Sequence, residues 1–357
     1  QVSKAVKNGL QRLYGDHFKS TVIPASDGGD GFLDTIYNFK PVKKVYFRSV
    51  DAFQYAIDSY YLLDVETNTA YIELANTVGI RHLQSNELNI LKTSTHGVGL
   101  QIAHALDAGV RSIYIGLGGS ASNDMALGLL EALGFIFLDS NGALITYSFK
   151  NLSKIHSYEL PNSLQKKIQN CSFFAINDVL NPLCGPLGAA NIYGPQKGGS
   201  EETILAMDGS FEAFVCRFNF PYPCDISLEG GGAAGGTAYG LKAFLNAQFI
   251  NGFDFLASIA CLEDLLVTQK YDCIISGEGS LDNTSFQGKL LGRLIDLTEK
   301  HQLPLLLVCG QCHFDASALT NTHIVELLDE ETPIAQCIAQ PFALIENKVY
   351  HFFKFLL

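Results

Sequence analysis

Six acidic residues, Asp27, Asp30, Asp124, Asp178, Glu278 and Asp282, stand in or beside glycine-rich loops. A carboxylate in such a loop can hold Mg2+ through one or two oxygens, with waters and phosphate completing the octahedron. It can also accept a hydroxyl proton. Neighbouring glycines let backbone N–H groups approach phosphate closely. A lone loop aspartate is more often a helix cap or an Asx turn, but six in the same setting shift the balance toward a site. Two lysines suit the complementary role. Lys197 lies in Gly-Pro-Gln-Lys-Gly and Lys289 in Gln-Gly-Lys. Either can neutralise charge on a transferring phosphoryl group; the plainer alternative for each is a solvated surface lysine.

These residues need strands and helices to place them. The stretch from Ser112 to Gly134 reads as a buried strand, a turn at Gly116–Ser120, then a helix from Met125 to Leu133 closed by Gly134. That order gathers backbone N–H groups and a helix N-terminus, a setting that attracts anions. An ordinary strand-to-helix connection is the alternative. Upstream, Val2–Tyr14 has helical spacing and Ser20–Pro24 reads as a short β-branched strand. Three successive strands follow at 42–51, 56–65 and 69–73, consistent with a meander. Phe173–Ile176 is a strand that delivers Asn177, Asp178 and Asn181. The glycine-rich run 230–236 opens a helix. The strand 272–276 ends in Gly277-Glu278-Gly279, and 303–309 is a further strand. Strands alternating with helices, with glycine loops after the strands, indicate an α/β fold with largely parallel sheets. Ligands in such folds sit beyond the carboxyl ends of the strands.

Composition narrows the classes. At 357 residues the chain is expected to hold about two domains. Its 47% hydrophobic content supports a large core, and a net charge of −12 argues against nucleic acid or an anionic membrane as partner. No apolar run reaches the ~18 residues of a membrane span. Nine cysteines show no disulfide-framework spacing, which points to reduced thiols and the cytoplasm. Cys309-Gly-Gln-Cys312-His313 matches the c-type haem attachment pattern. Its place behind an apolar run reads better as a strand end and turn. Signatures of P-loop enzymes, protein kinases, serine hydrolases and zinc proteases are missing. The rival chemistry is dinucleotide binding. Gly116-x-Gly118-x-x-Ala121 follows a strand, and Asp139 lies about 20 residues further on at the end of another. That reading, an NAD-linked oxidoreductase, leaves the other acidic loops unexplained.

Taken together, the loops resemble those of the type 1 bacterial glycerate kinases. The resemblance runs over nearly the whole chain. Pro24–Gly31 resembles P-x-[AS]-D-G-G-[DE]-G and Gly118–Asp124 resembles G-G-S-A-T-N-D. Asp178–Ala190 resembles D-V-x-N-P-L-x-G-x-x-G-A, Tyr193–Gly198 resembles F-G-P-Q-K-G, and Gly232–Gly236 resembles G-A-A-G-G. Gly277–Asp282 with Gly288-Lys289 resembles G-E-G-x-x-D followed by G-K. Some positions depart from the pattern: His96 for tyrosine, Met125 and Ala126 for glycines, Ser280 for arginine, Thr284 for glutamine. The family's opening strand and its P-D-S-F-K-G loop do not occur in this sequence, so a piece upstream of Gln1 is expected.

The resemblance implies two α/β domains, a flavodoxin-like one with a second inserted into it. The expected division is 1–43 with 270–357, and 44–269. It implies ATP-dependent phosphorylation of D-glycerate to phosphoglycerate, with Mg2+. Asp178 and Asp282 are the expected metal ligands or base, and Lys197 and Lys289 are expected to face phosphate or the substrate carboxylate. Asp27, Gly28, Gly29, Gly118, Gly119, Ser120, Asn123, Asp124, Gly235, Gly236 and Glu278 are expected to line the binding cleft. An inactive sugar-acid-binding relative is the third reading, and homo-oligomerisation is left open.

Overall fold

The computed structural model describes residues 2–24, 26, 28–282, 290–313, 319, 321–330 and 332–356. The chain falls into two compact units, Ala25–Ile259 and the discontinuous pair Gln1–Pro24 with Ala260–Leu357. Residues 25–43 and 260–269 therefore lie on the other side of the division from the expected boundaries.

The larger unit is built on strands β1 (Lys43–Val50), β2 (Ala56–Asp64), β3 (Thr69–Glu73) and β4 (Ser112–Gly116). After them come β5 (Ile136–Leu138), β6 (Leu144–Ile145), β7 (Ser157–Glu159), β8 (Ser172–Ile176) and β9 (Gln248–Ile250). The main sheet has the order β1-β2-β3-β4-β8-β9. The expected meander is its antiparallel half, β1-β2-β3. From β3 onward the pairs β3-β4, β4-β8 and β8-β9 are parallel. Every residue of β3 is buried, as a strand covered on both faces requires. One face carries Phe32, Leu33 and Ile36 of the helix Phe32–Phe39, packed with Leu62, Tyr71 and Ile176. The other face joins a larger core containing Ile72, Ile102, Ile113, Leu129, Phe211 and Phe244.

In the second unit, β10 (Ile274–Leu281), β11 (Leu305–Cys312) and β12 (Thr322–Glu326) form a parallel sheet in sequence order. Ala5, Val6 and Leu10 of the helix Val2–Tyr14 pack with Leu306, Val308, Ile345 and Val349. Helix Pro341–Leu356 supplies the last two. Three expectations change. Residues 20–24 form no strand, because no neighbour among the described residues offers them a hydrogen-bond ladder. Gly277–Ser280 continues β10 instead of forming a loop, with Gly277, Glu278 and Ser280 paired to Val308, Cys309 and Gln311 of β11. Cys309 and Cys312 both lie on β11. Three apart on a strand, they point to opposite faces, so the pair cannot act as a dithiol clip.

Candidate active site

In the larger unit the carboxyl ends of β3, β4 and β8 stand level: Glu73 pairs with Gly116, and Gly116 with Ile176. The loops that leave them meet the glycine loop at 28–31. Gly118 N–H donates to Gly28 O at 2.9 Å, and Leu117 N–H donates to Ile176 O at 3.1 Å. Gly28 holds φ at +91°, and a Cβ on Gly118 would lie 2.4 Å from Gly29 Cα. Two loops are thus pressed backbone against backbone, a contact that side chains would prevent. Gly28 and Gly29 are buried, Gly118 is half-buried and Gly119 is exposed.

Around this contact sit charged residues whose role the sequence did not reveal. Glu73 is buried at the end of β3 and accepts from Leu33 N–H at 3.1 Å and Gly31 N–H at 3.4 Å. Burial raises its pKa, opposed by those two N–H groups and by Arg81. Arg81 bridges Asp30 at 3.0 Å and Glu73 at 3.5 Å. The available signal was a lone acid closing an otherwise apolar strand. Arg81 had no such signal, because it lies in a stretch without periodicity.

Ser120, Asn123 and Asp124 belong to the same loop but face inward; Asn123 and Asp124 are each 1% exposed. Asp124 accepts from Thr95 N–H at 2.7 Å and from the Thr95 hydroxyl at 2.9 Å. Burial raises its pKa, and the bonds from Thr95, Ser94 and Gly128 oppose the rise. Its carboxylate therefore satisfies the start of the helix Leu127–Leu133, which is shorter than expected and preceded by a left-handed Ala126. Lys197 is buried as well. Its Nζ donates to Ser120 Oγ at 2.8 Å and to Ser122 O at 2.7 Å. Gly235 and Gly236 pack under this loop; a Cβ on Gly235 would lie 2.2 Å from Ser122 O.

Asp178 follows β8, half-buried, and its Oδ1 accepts from Gly252 N–H at 2.6 Å. Nearby Asn181 accepts from the Tyr193 hydroxyl at 2.6 Å and donates to Leu187 O at 2.9 Å. In the smaller unit, Glu278 lies on β10 opposite Cys309, and Asp282 follows the same strand; both are exposed. Asp27 and Lys289 lie outside the described residues. No group of three or more His, Cys, Asp or Glu among the described residues is placed to hold a metal. A Mg2+ ion needs only one or two carboxylates when phosphate supplies the rest, and a strand-end aspartate such as Asp178 is a donor of that kind.

The dinucleotide reading fails on geometry. Its acid should end a parallel neighbour of β4. Asp139 instead follows β5, in a separate antiparallel sheet ordered β6-β5-β7. There it accepts from Asn141 N–H and Ala143 N–H at 2.8 and 2.9 Å, an Asx-type turn.

Comparison with known proteins agrees with the loop pattern. The model of the glycerate kinase family matches residues 1–357. A glycerate kinase of Neisseria meningitidis serogroup B is 29% identical, over 97% of this chain and 92% of its own. The glycerate 2-kinase of Escherichia coli K12 is 28% identical, over 89% of this chain and 83% of its own. A crystal structure assigned to glycerate kinase 2 of Salmonella typhimurium LT2 superposes with a TM-score of 0.74 at 28% identity, covering 99% of this chain and 93% of that one.

Proposed function

Because the chain belongs to the glycerate kinase family, we propose that it transfers the γ-phosphoryl group of ATP to a hydroxyl of D-glycerate, forming phosphoglycerate with the help of Mg2+. The observation that carries this reading is the meeting of the 28–31 and 117–124 loops with Asp178 at the carboxyl ends of β3, β4 and β8. Phosphoryl transfer demands mainly positioning and charge neutralisation, and a rigid glycine-lined loop beside a carboxylate suits both. Gly118 and Gly119 offer the accessible backbone of that loop. Asp178 is assigned to hold the ion or to accept the proton of the attacking hydroxyl. Asp282 is assigned the same kind of role in the smaller unit, and Lys289 is assigned to face phosphate or the substrate carboxylate. Mg2+, when bound, supplies charge neutralisation on the phosphate oxygens.

None of the nine cysteines, all among the described residues, is joined in a disulfide, which suits a reducing compartment, and we assign the enzyme to the cytoplasm. Among the described residues no helix is long and apolar enough to cross a membrane. Release of ADP from ATP by the full-length protein, coupled to an indicator reaction with and without D-glycerate, tests the reading. A parallel NADH absorbance assay covers oxidoreductase activity. Glycerate-dependent ADP release with no NADH signal is expected. Silence in the first assay, with the protein folded, would refute it.

A further inference from the structure

Lys197 ends a short 3-10 turn, Pro195–Lys197, and its side chain runs into the protein until only 3% of the residue is exposed. A lysine that served a phosphate directly would keep its amine at a surface. This amine instead spends two of its donors on one loop, at Ser120 Oγ and Ser122 O. Its two acceptors are neutral. Burial pushes it down to about 7, with Asp124 opposing the shift. An amine that loses its proton so readily is poorly suited to carry a fixed positive charge.

The rest of the loop is tied just as closely. Gly119 O accepts from Ile80 N–H at 2.9 Å, Ala121 N–H donates to Val78 O at 2.8 Å, and Met125 N–H donates to Gly235 O at 3.1 Å. The Thr93 hydroxyl donates to Ala121 O at 2.9 Å. Ser120 and Ser122 thus have Lys197 as the lysine that fixes them from beneath, while Gly119 remains the exposed part of the loop.

We propose that Lys197 is a positioning residue: by holding Ser120 and Ser122 it fixes the backbone N–H of Gly119 in the geometry that receives an anionic oxygen of the substrate, and it does not touch the substrate itself. The proposal rests on the phosphoryl-transfer reading for its chemistry, and differs from the sequence expectation that Lys197 faces phosphate.

A double-mutant cycle joined to amide hydrogen exchange tests it. Lys197→Met is expected to lower kcat/KM for D-glycerate at least tenfold. Ser120→Ala in that background is expected to lower it less than threefold further, because the partner that made the hydroxyl matter is already gone. In Lys197→Met, exchange across 117–124 is expected to rise at least fivefold, with β10–β12 unchanged. Losses that multiply across the cycle would overturn the proposal, since Lys197 would then act independently of Ser120. Unchanged exchange across 117–124 would overturn it too. The exchange arm needs no turnover, so a chain without glycerate-dependent activity removes the proposed function while this comparison still decides the role of Lys197. Should Lys197→Met fail to fold, Ser120→Ala alone serves: raised exchange confined to 117–124 supports the proposal, and wild-type exchange there overturns it.

Discussion

Replacing Lys197 with methionine should change how stability depends on pH, and the size of the change follows from burial. The amine ionises near 7 in the folded protein against 10.5 ordinarily. The unfolded chain therefore binds the extra proton more tightly. Below about 7 both states carry it, and the cost of burying the charge is fully present. As pH rises from about 7 toward 10.5 the folded amine is already neutral and the unfolded one is not, so stability climbs by about 1.4 kcal/mol per pH unit. Between about pH 6.5 and 8.5 the gain comes to about 2 kcal/mol. Buried thiols work the other way: Cys171 and Cys184 are pushed up to about 12, so they cost stability as pH passes about 9. That contribution is common to both proteins and cancels in their difference. Urea unfolding followed by circular dichroism, since the chain has no tryptophan, gives the free energies. Wild type should gain about 2 kcal/mol on Lys197→Met over that interval. Parallel pH profiles for the two proteins would refute the reasoning.

Asp178→Asn keeps an oxygen for Gly252 N–H, so the fold should hold while turnover falls at least ~100-fold; near-wild-type kcat would remove Asp178 from the chemistry. Gly118→Ala forces a methyl to within 2.4 Å of Gly29 Cα and should cost about 1–3 kcal/mol, read as a lower thermal midpoint. An unchanged midpoint would mean the two loops can part. Asp124→Asn turns a donor toward Thr95 N–H or its hydroxyl and should cost about 1–3 kcal/mol in urea titration; equal stability would show that the start of the helix Leu127–Leu133 does not depend on that carboxylate. Asp139→Ala removes only an Asx turn, so kcat/KM should stay within about twofold, and a tenfold loss would revive the dinucleotide reading.

The alternation of strands and helices was legible because buried parallel strands leave continuous apolar runs, as at Ile113–Ile115 and Phe173–Ile176. The meander at 43–73 was legible from its turns. The glycine loops were legible as places, though not as surfaces. Nothing in Gly-Pro-Gln-Lys-Gly says that its lysine turns inward, because the direction depends on Ser120 and Ser122, more than seventy residues earlier. Asp124 was expected to line the cleft, and its carboxylate is a buried acceptor for the same reason: Thr95 and Gly128 reach it only after the sheet has formed. Gly116 and Gly118 suggested a dinucleotide turn, whereas their real constraint is a second backbone, the one at 28–29, pressed against them. Asp139 misled because spacing along the chain does not say which sheet a strand will join. Residues 20–24 have strand propensity, and no strand among the described residues offers them a ladder.

The smaller unit joins two segments far apart in sequence, Gln1–Pro24 and Ala260–Leu357. Arg12 donates to Asn347 Oδ1 at 3.0 Å and stacks 4.0 Å from the centre of the Tyr350 ring, and Asn8 donates to Glu346 at 3.2 Å. On a ribosome adding about 5–20 residues per second, the helix Val2–Tyr14 waits on the order of 20–60 s for helix Pro341–Leu356. Until β11 and that helix have emerged, Ala5, Val6 and Leu10 lack the side chains of Leu306, Val308, Ile345 and Val349 that pack with them, while the unit Ala25–Ile259 has all its strands and can close first. The order of synthesis thus makes the helix Val2–Tyr14 a nascent-chain liability, exposed to chaperones and proteases until helix Pro341–Leu356 emerges.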